Sequence, residues 1–415
     1  MLLHDKLVWI ISLATIVCVL VRPYKVQEWA YASGGAILLV VLTLLPLKVA
    51  GSALLKGVDV YLFLIGMMML SETARIEGVF DYVSSQASRH ARGSSLLLFF
   101  YIYAAGTLVT VFLSNDATAV VLTPAVYSAV KKSGAVARPY LFACAFIANA
   151  ASFVLPISNP ANLVVYQSQL PPIGIWLKTF LIPSLLSITA TYLILLLWFR
   201  KDLNKKISLT SADLVLPLSN RGKVAFAGIG CVIAALFLAS AKHWELGLPT
   251  LIAASLVLAS VSLMQRNFPL KEIKGISWSV IPLVGGLFVI VEAINRAGAL
   301  DLMTKYFQYV SKLPEIEGHF SAAFGVGILS NILNNLPVGL MSGISVGYQG
   351  ISDSVRNAVL IGVDLGPNLS VTGSLATILW LIVLRREGES MSGFSFFAVG
   401  LLAMPIALAA AILAL

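Results

Sequence analysis

Four short polar stretches interrupt an otherwise lipid-soluble chain. Residues 111–124 read VFLSNDATAVVLTP and hold Asn115 and Asp116; residues 329–337 read LSNILNNLP and hold Asn334 and Asn335. Two Pro-containing knots follow: PISNPANL at 156–163, with Ser158, Asn159 and Asn162, and DLGPNLSVTGS at 364–374, with Asp364, Asn368, Ser370 and Thr372. Amides and hydroxyls both donate and accept hydrogen bonds, so they suit a ligand that does the same. A carboxylate in apolar surroundings is costly and is retained for handling protons or cations. Asp116 is the first candidate for that role and Asp364 the second. No Lys or Arg stands in these turns or breaks, and anionic substrates usually meet such residues. Either a small cation or a small neutral polyhydroxy solute fits this set. The nine Asn, Ser and Thr side chains named above are the candidate substrate-binding groups.

The elements that must position them are read from composition. The chain has 415 residues, of which 59% are hydrophobic and 11% charged, about half the charge of a soluble globular protein. Apolar runs at 7–21, 31–47, 179–199, 224–240, 248–264 and 394–415 are each near the length that crosses a bilayer as a helix. The first run lacks a small-residue cleavage site after it and reads as a retained helix. The net charge of +9 is topological and implies no nucleic acid. Loops near 22–28, 75–92, 131–138, 200–223, 265–275 and 385–392 hold 19 of the 28 Lys and Arg. The positive-inside rule makes that side cytoplasmic and both termini external. Cys18, Cys144 and Cys231 lie apart in apolar runs, so no disulfide is expected. His4, His90, His243 and His319 show no metal-ligand spacing, and no cofactor is called for.

The halves repeat. Residues 56–81 (KGVDVYLFLIGMMMLSETARIEGVFD) match 274–301 (KGISWSVIPLVGGLFVIVEAINRAGALD): each begins Lys-Gly, carries an acid near its end (Glu72, Glu292) and runs into Gly78 and Asp81, or Gly298 and Asp301. The two acids sit near helix ends with Arg75 and Arg296 close by to pair with them. The expected fold is an all-α polytopic membrane protein of two inverted-topology repeats. Each has about five transmembrane helices plus one re-entrant hairpin. Residues 1–199 form the first repeat, 200–222 a basic cytoplasmic linker and 223–415 the second. The hairpins are placed at 95–131 and 320–349, as half-helices turning at mid-depth. Non-helical backbone there must be shielded by protein or line a wet cavity. Gly339, Gly343 and Gly347 give the spacing that permits close helix packing. Pro-broken helices at 138–167 and 355–384 bring freed carbonyls and half-helix ends to the midplane.

The motifs SNDATAVVLTPAV (114–126), NNLPVGLMSG (334–343) and DLGPNLSVTGSLATILWL (364–381) resemble the ArsB family of arsenite/antimonite efflux permeases, within the ion transporter superfamily. The resemblance covers almost the whole chain. It implies an inner-membrane protein that extrudes trivalent arsenic or antimony against inward proton flow. It also implies an optional cytoplasmic partner, the ArsA ATPase. The chain has no phosphate-binding G-x-x-x-x-G-K-[ST] loop, so any ATPase is a separate subunit. Arsenous acid, a small neutral molecule with three hydroxyls, matches the donor and acceptor character of Asn115, Asn159, Asn334, Asn335 and Asn368.

Rival readings on the same scaffold are a sodium/proton antiporter and a sodium-coupled organic anion carrier. A gated channel is a further one. Three thiolates would bind arsenic too tightly for release, and buried Cys is usually a small hydrophobe. The membrane helices pair no His or Cys, which argues against an intramembrane enzyme.

Overall fold

A computed structural model of the chain describes residues 3–205, 207, 217–347 and 351–415. Lys206 and residues 208–216 of the expected linker, and 348–350 at the end of the second expected hairpin, lie outside the described residues. Among the described residues every regular element is helical.

The first half runs α1 (Leu3–Val21), α2 (Glu28–Val41), α3 (Leu47–Lys56), α4 (Val58–Ile76), α5 (Val79–His90) and α6 (Ser95–Phe112). A short α7 (Asn115–Ala117) continues through a π turn (Thr118–Leu122) into α8 (Thr123–Lys132). Then come α9 (Ala137–Ala150), α10 (Pro160–Tyr166) and α11 (Ile173–Trp198). After α12 (Arg200–Leu203) the order recurs with α13 (Asn220–Ala241), α14 (Gly247–Gln265), α15 (Leu270–Gly275), α16 (Val280–Arg296) and α17 (Ala299–Val310). It is completed by α18 (Glu315–Leu333), α19 (Asn335–Val346), α20 (Asp353–Leu365), α21 (Leu375–Arg386) and α22 (Gly393–Ile412). By length and hydropathy α6, α11, α13, α14 and α22 are each able to cross a membrane, and among the described residues the count rises to seven if the bent pairs α3–α4 and α16–α17 are single spans.

Local chemistry sets the corners. Gly78 and Gly298 precede α5 and α17 with φ of 75° and 90°, a conformation open to glycine at little cost. α16 and α17 consequently meet at a 78° bend. α5 and α17 each bury one apolar face and show charges on the other. Ser94, Ser219, Ser352 and Ser392 accept from the first-turn amides of α6, α13, α20 and α22, satisfying donors a helix start leaves free.

The halves interlock. α2 packs on α16, α4 on α14 and α11 on α22. The polar centre is enclosed by α19 against α10 and by the π turn and α7 against α21. Aromatic side chains fill the space behind it: Phe146 stacks near Phe396 at 4.7 Å between ring centroids, and Trp380 donates to Leu141 O at 3.1 Å.

One detail differs from the sequence expectation. The arms of the first hairpin are not half-helices. α6 alone holds 18 residues, roughly 27 Å at the helical rise and nearly the hydrocarbon thickness. Both helices are interrupted at the prolines, as the sequence implies. Pro160 is the first residue of α10, where a missing N–H costs nothing, and the break is the segment 151–159 before it. Pro367 lies inside a 3-10 turn, Gly366–Leu369.

A polar layer at two hairpin tips and two helix breaks

Each hairpin tip turns on a non-glycine residue in an unusual conformation. Ser114 has φ 144° and ψ 164°; Asn334 has φ 71° and ψ 149°. Such conformations cost about 1–3 kcal/mol and recur at ligand sites. Each tip residue then caps the next helix. Ser114 Oγ accepts from Ala117 N at 3.3 Å, and Asn334 Oδ1 accepts from Leu336 N at 3.3 Å. Beyond the first tip, the π turn places Thr118 O within reach of Thr123, whose hydroxyl donates to it at 3.0 Å. The wider turn precedes Pro124, which cannot supply the next helical donor.

The tips are stitched to the breaks. Thr110 and Thr118 hydroxyls meet at 2.8 Å between the hairpin arms, and Ser158 Oγ donates to Val111 O at 2.9 Å. Asn334 Nδ2 donates to Thr372 O at 3.2 Å. Asn331, one turn before Asn334, donates to Gly327 O at 2.7 Å and Gly366 O at 2.9 Å and accepts from Ser370 Oγ at 2.6 Å. Ser370 and Thr372 hydroxyls are 3.1 Å apart.

The breaks are joined to each other across the halves. Asn159 Nδ2 donates to Asp364 Oδ1 at 2.7 Å, while Asn159 Oδ1 caps α10 through Ala161 N at 3.0 Å. Asn149 Nδ2 donates to Asn368 Oδ1 at 3.0 Å, and Asn149 Oδ1 accepts from Ser374 Oγ at 3.3 Å. Asn368 Nδ2 donates to Phe146 O at 3.1 Å. Asn162 Nδ2 donates to Ser152 O at 2.8 Å and Leu155 O at 3.3 Å, and Trp176 donates to Phe153 O at 3.0 Å. The bonds to Ser152 O, Phe153 O and Leu155 O satisfy carbonyls that the break frees, as low-dielectric surroundings require.

All the sequence-named site residues therefore lie at tips or breaks, with unequal access. Ser158, Asn162, Asp364 and Asn368 are fully buried, and Asn115, Asn159, Asn334 and Asn335 nearly so. Asp116, Ser370 and Thr372 are half-buried. The amide of Asn368 and the hydroxyl of Ser158 are engaged by protein. Asp364 Oδ2 and Asn162 Oδ1 are enclosed without a hydrogen-bond partner, and the Asp116 carboxylate forms no hydrogen bond or ion pair among the described residues. Asn149, Asn331, Ser374 and Thr377 also belong to the layer and were not singled out from sequence. Asn149 was detectable: it precedes Asn159 by the same spacing that separates Asp364 from Ser374.

Glu72 and Glu292 are structural. Arg75 binds Glu72 at 2.5 and 2.7 Å, and Lys56 and Arg296 bind Glu292 at 3.1 and 3.4 Å. A cavity of about 390 Å³ lies at the end of α13 remote from the basic linker. Lys56, Asp59 and Glu245 line it with Val164 of α10 and Leu340 of α19, and it contains none of the polar-layer residues. Among the described residues no cluster of His, Cys, Asp or Glu could hold a metal ion.

Known proteins resemble this chain. The family described as citrate transporter (CitMHS) matches residues 10–362. An arsenical pump membrane protein of Escherichia coli is 29% identical over 363 residues, 81% of each chain. Another from Escherichia coli is 27% identical over 420 residues, 94% of each. A putative arsenical pump membrane protein of Bacillus subtilis is 22% identical over 420 residues, 94% of this chain and 95% of its own. The YdaH transporter of Alcanivorax borkumensis has a similar fold, with a TM-score of 0.55 at 15% identity over 88% of this chain and 86% of that one. With its paired hairpins, interrupted helices and apolar spans, the chain belongs to the citrate-transporter (CitMHS) family of polytopic membrane transporters within the ion transporter superfamily.

Proposed function

We propose that the protein extrudes arsenite or antimonite, as the neutral trihydroxy species, from the cytoplasm in exchange for protons. The observation that carries this is the Asp364–Asn159 hydrogen bond at the meeting of the two breaks. It places one carboxylate, with one unpartnered oxygen, among amides and hydroxyls. The layer carries no Lys or Arg to hold an anion such as citrate. Three hydroxyls of arsenous acid would find donors and acceptors at once, and the curated relatives are named arsenical pump proteins.

Asp364 is the leading proton carrier, because both halves hold it and a change in its protonation alters a contact between them. Asp116 is the second candidate, half-exposed on the first tip. Asn115, Asn334, Asn335, Ser370 and Thr372 would line the solute site. Asn159 would turn the Asp364 carboxylate, and Ser158, Asn162 and Asn368 would hold its frame. The basic face carrying Lys205, Arg221, Lys223 and Arg385 would be cytoplasmic and would receive an ArsA-type ATPase where one is present. Both termini would face outward from the inner membrane.

The test uses everted membrane vesicles with an acid interior and no ATP or sodium. The wild type accumulates arsenite, an uncoupler abolishes the uptake, and Asp364→Asn removes the dependence on the gradient. If Asp116→Asn alone removes it, the coupling role belongs to the tip. Sodium movement without arsenite uptake would replace the proposal with sodium/proton antiport.

A further inference from the structure

Among the hydrogen bonds that cross between the halves, two are equivalent by position. Asn149 and Asp364 are each the next-to-last residue of the first half of a broken helix, α9 and α20. Asn159 and Ser374 are the caps of the second halves, α10 and α21. The spacing from first to second is the same in both. Asp364 meets the cap of the other half, Asn159, at 2.7 Å. Asn149 meets the cap of the other half, Ser374, at 3.3 Å. One position carries a carboxylate and its counterpart an amide of the same shape.

We infer that positions 149 and 364 are twin coupling positions, and that the amide at Asn149 limits exchange to one proton per solute. This rests on the proposed role of Asp364. The pocket around Asn149 offers both partners that a titrating carboxyl group needs. Ser374 donates to Asn149 Oδ1 at 3.3 Å, which suits a carboxyl oxygen, and Asn368 Oδ1 accepts from Asn149 Nδ2 at 3.0 Å, which suits a carboxylic acid O–H. Asp116 on α7, packed against α9 and α21, is the remaining carboxylate of the layer, and Cys144 lies farther down α9. Arg138, Asp353, Arg356, Arg385 and Arg386 stand at the distant ends of α9, α20 and α21.

The experiment reconstitutes purified protein in liposomes with the membrane potential clamped and measures the limiting arsenite accumulation per unit of pH gradient. One proton per neutral solute gives roughly 10-fold and two give roughly 100-fold. Asp364→Asn should abolish gradient-driven accumulation. Adding Asn149→Asp to that variant should restore roughly 10-fold, and Asn149→Asp alone should raise the wild-type limit towards roughly 100-fold. An Asp364→Asn protein that still accumulates at the wild-type limit overturns the underlying role of Asp364. An uncoupled Asp364→Asn together with a double variant that melts like wild type yet stays uncoupled overturns the equivalence of the two positions. If the double variant does not fold, Asn149→Asp alone decides: a limit unchanged at roughly 10-fold overturns the inference.

Discussion

Asn159 and Asp364 belong to different halves of the chain, yet a 2.7 Å hydrogen bond joins them in a fully enclosed position. Asn159 makes that bond with its amide nitrogen and uses its oxygen to start α10. One side chain therefore fixes both a helix end and a carboxylate. Asn159→Ala removes both contacts and leaves Asp364 Oδ1 without its donor. A loss of roughly 2–3 kcal/mol is expected, read as a lower unfolding midpoint in detergent together with impaired arsenite uptake. A variant as stable and active as wild type would contradict the bond's importance.

The first hairpin tip separates strain from capping. Ser114→Gly relieves the positive φ but removes the cap, so its stability should stay within about 1 kcal/mol of wild type. Ser114→Ala keeps the strain and loses the cap, and should cost about 1–2 kcal/mol. Melting curves of the two variants that coincide would refute the separation.

The glycines of α19 are not equivalent. A Cβ at Gly343 would lie 2.6 Å from the carbonyl oxygens of Val164 and Val165, forcing α10 and α19 apart. A Cβ at Gly347 would approach only its own helix, at 3.3 Å from Ile344 O. Gly343→Ala should lower stability by about 1–3 kcal/mol and reduce transport, whereas Gly347→Ala should change stability by under about 0.5 kcal/mol. Equal effects of the two would show that the close approach is unimportant.

Glu77, 3% exposed, is held by half-exposed Arg221 at 3.3 Å and by Gln265 at 2.7 Å, which ties α4 to α13 and α14. Arg221→Ala should cost about 1–2 kcal/mol, less than a fully enclosed pair because water screens the arginine. Adding Glu77→Gln should recover part of the loss by removing the unpaired charge. A double variant less stable than Arg221→Ala in thermal unfolding would reject this account.

Orientation follows from the charge asymmetry. In a cysteine-free background, Glu245→Cys beside the cavity should react with an impermeant thiol reagent added to intact cells, and Lys223→Cys should react only in everted vesicles. The opposite pattern would reverse the assigned topology.

The sequence by itself determined the membrane class, the doubled order of elements and the polar tips and breaks. These are local properties: apolar length, the matching glycines Gly78 and Gly298, and the inability of a proline to continue a helix. It also marked Glu72 and Glu292 as paired, since Arg75 and Arg296 lie within a turn of them. The tertiary structure decided which polar groups face one another. That Asn159 reaches Asp364, that Asn149 mirrors Asp364, and that Asn331 binds the second break depend on two halves packing against each other. No periodicity within one helix records such a contact. The width of the breaks was likewise hidden, because a proline marks where a helix cannot run through but not how far the preceding chain unwinds to meet a partner.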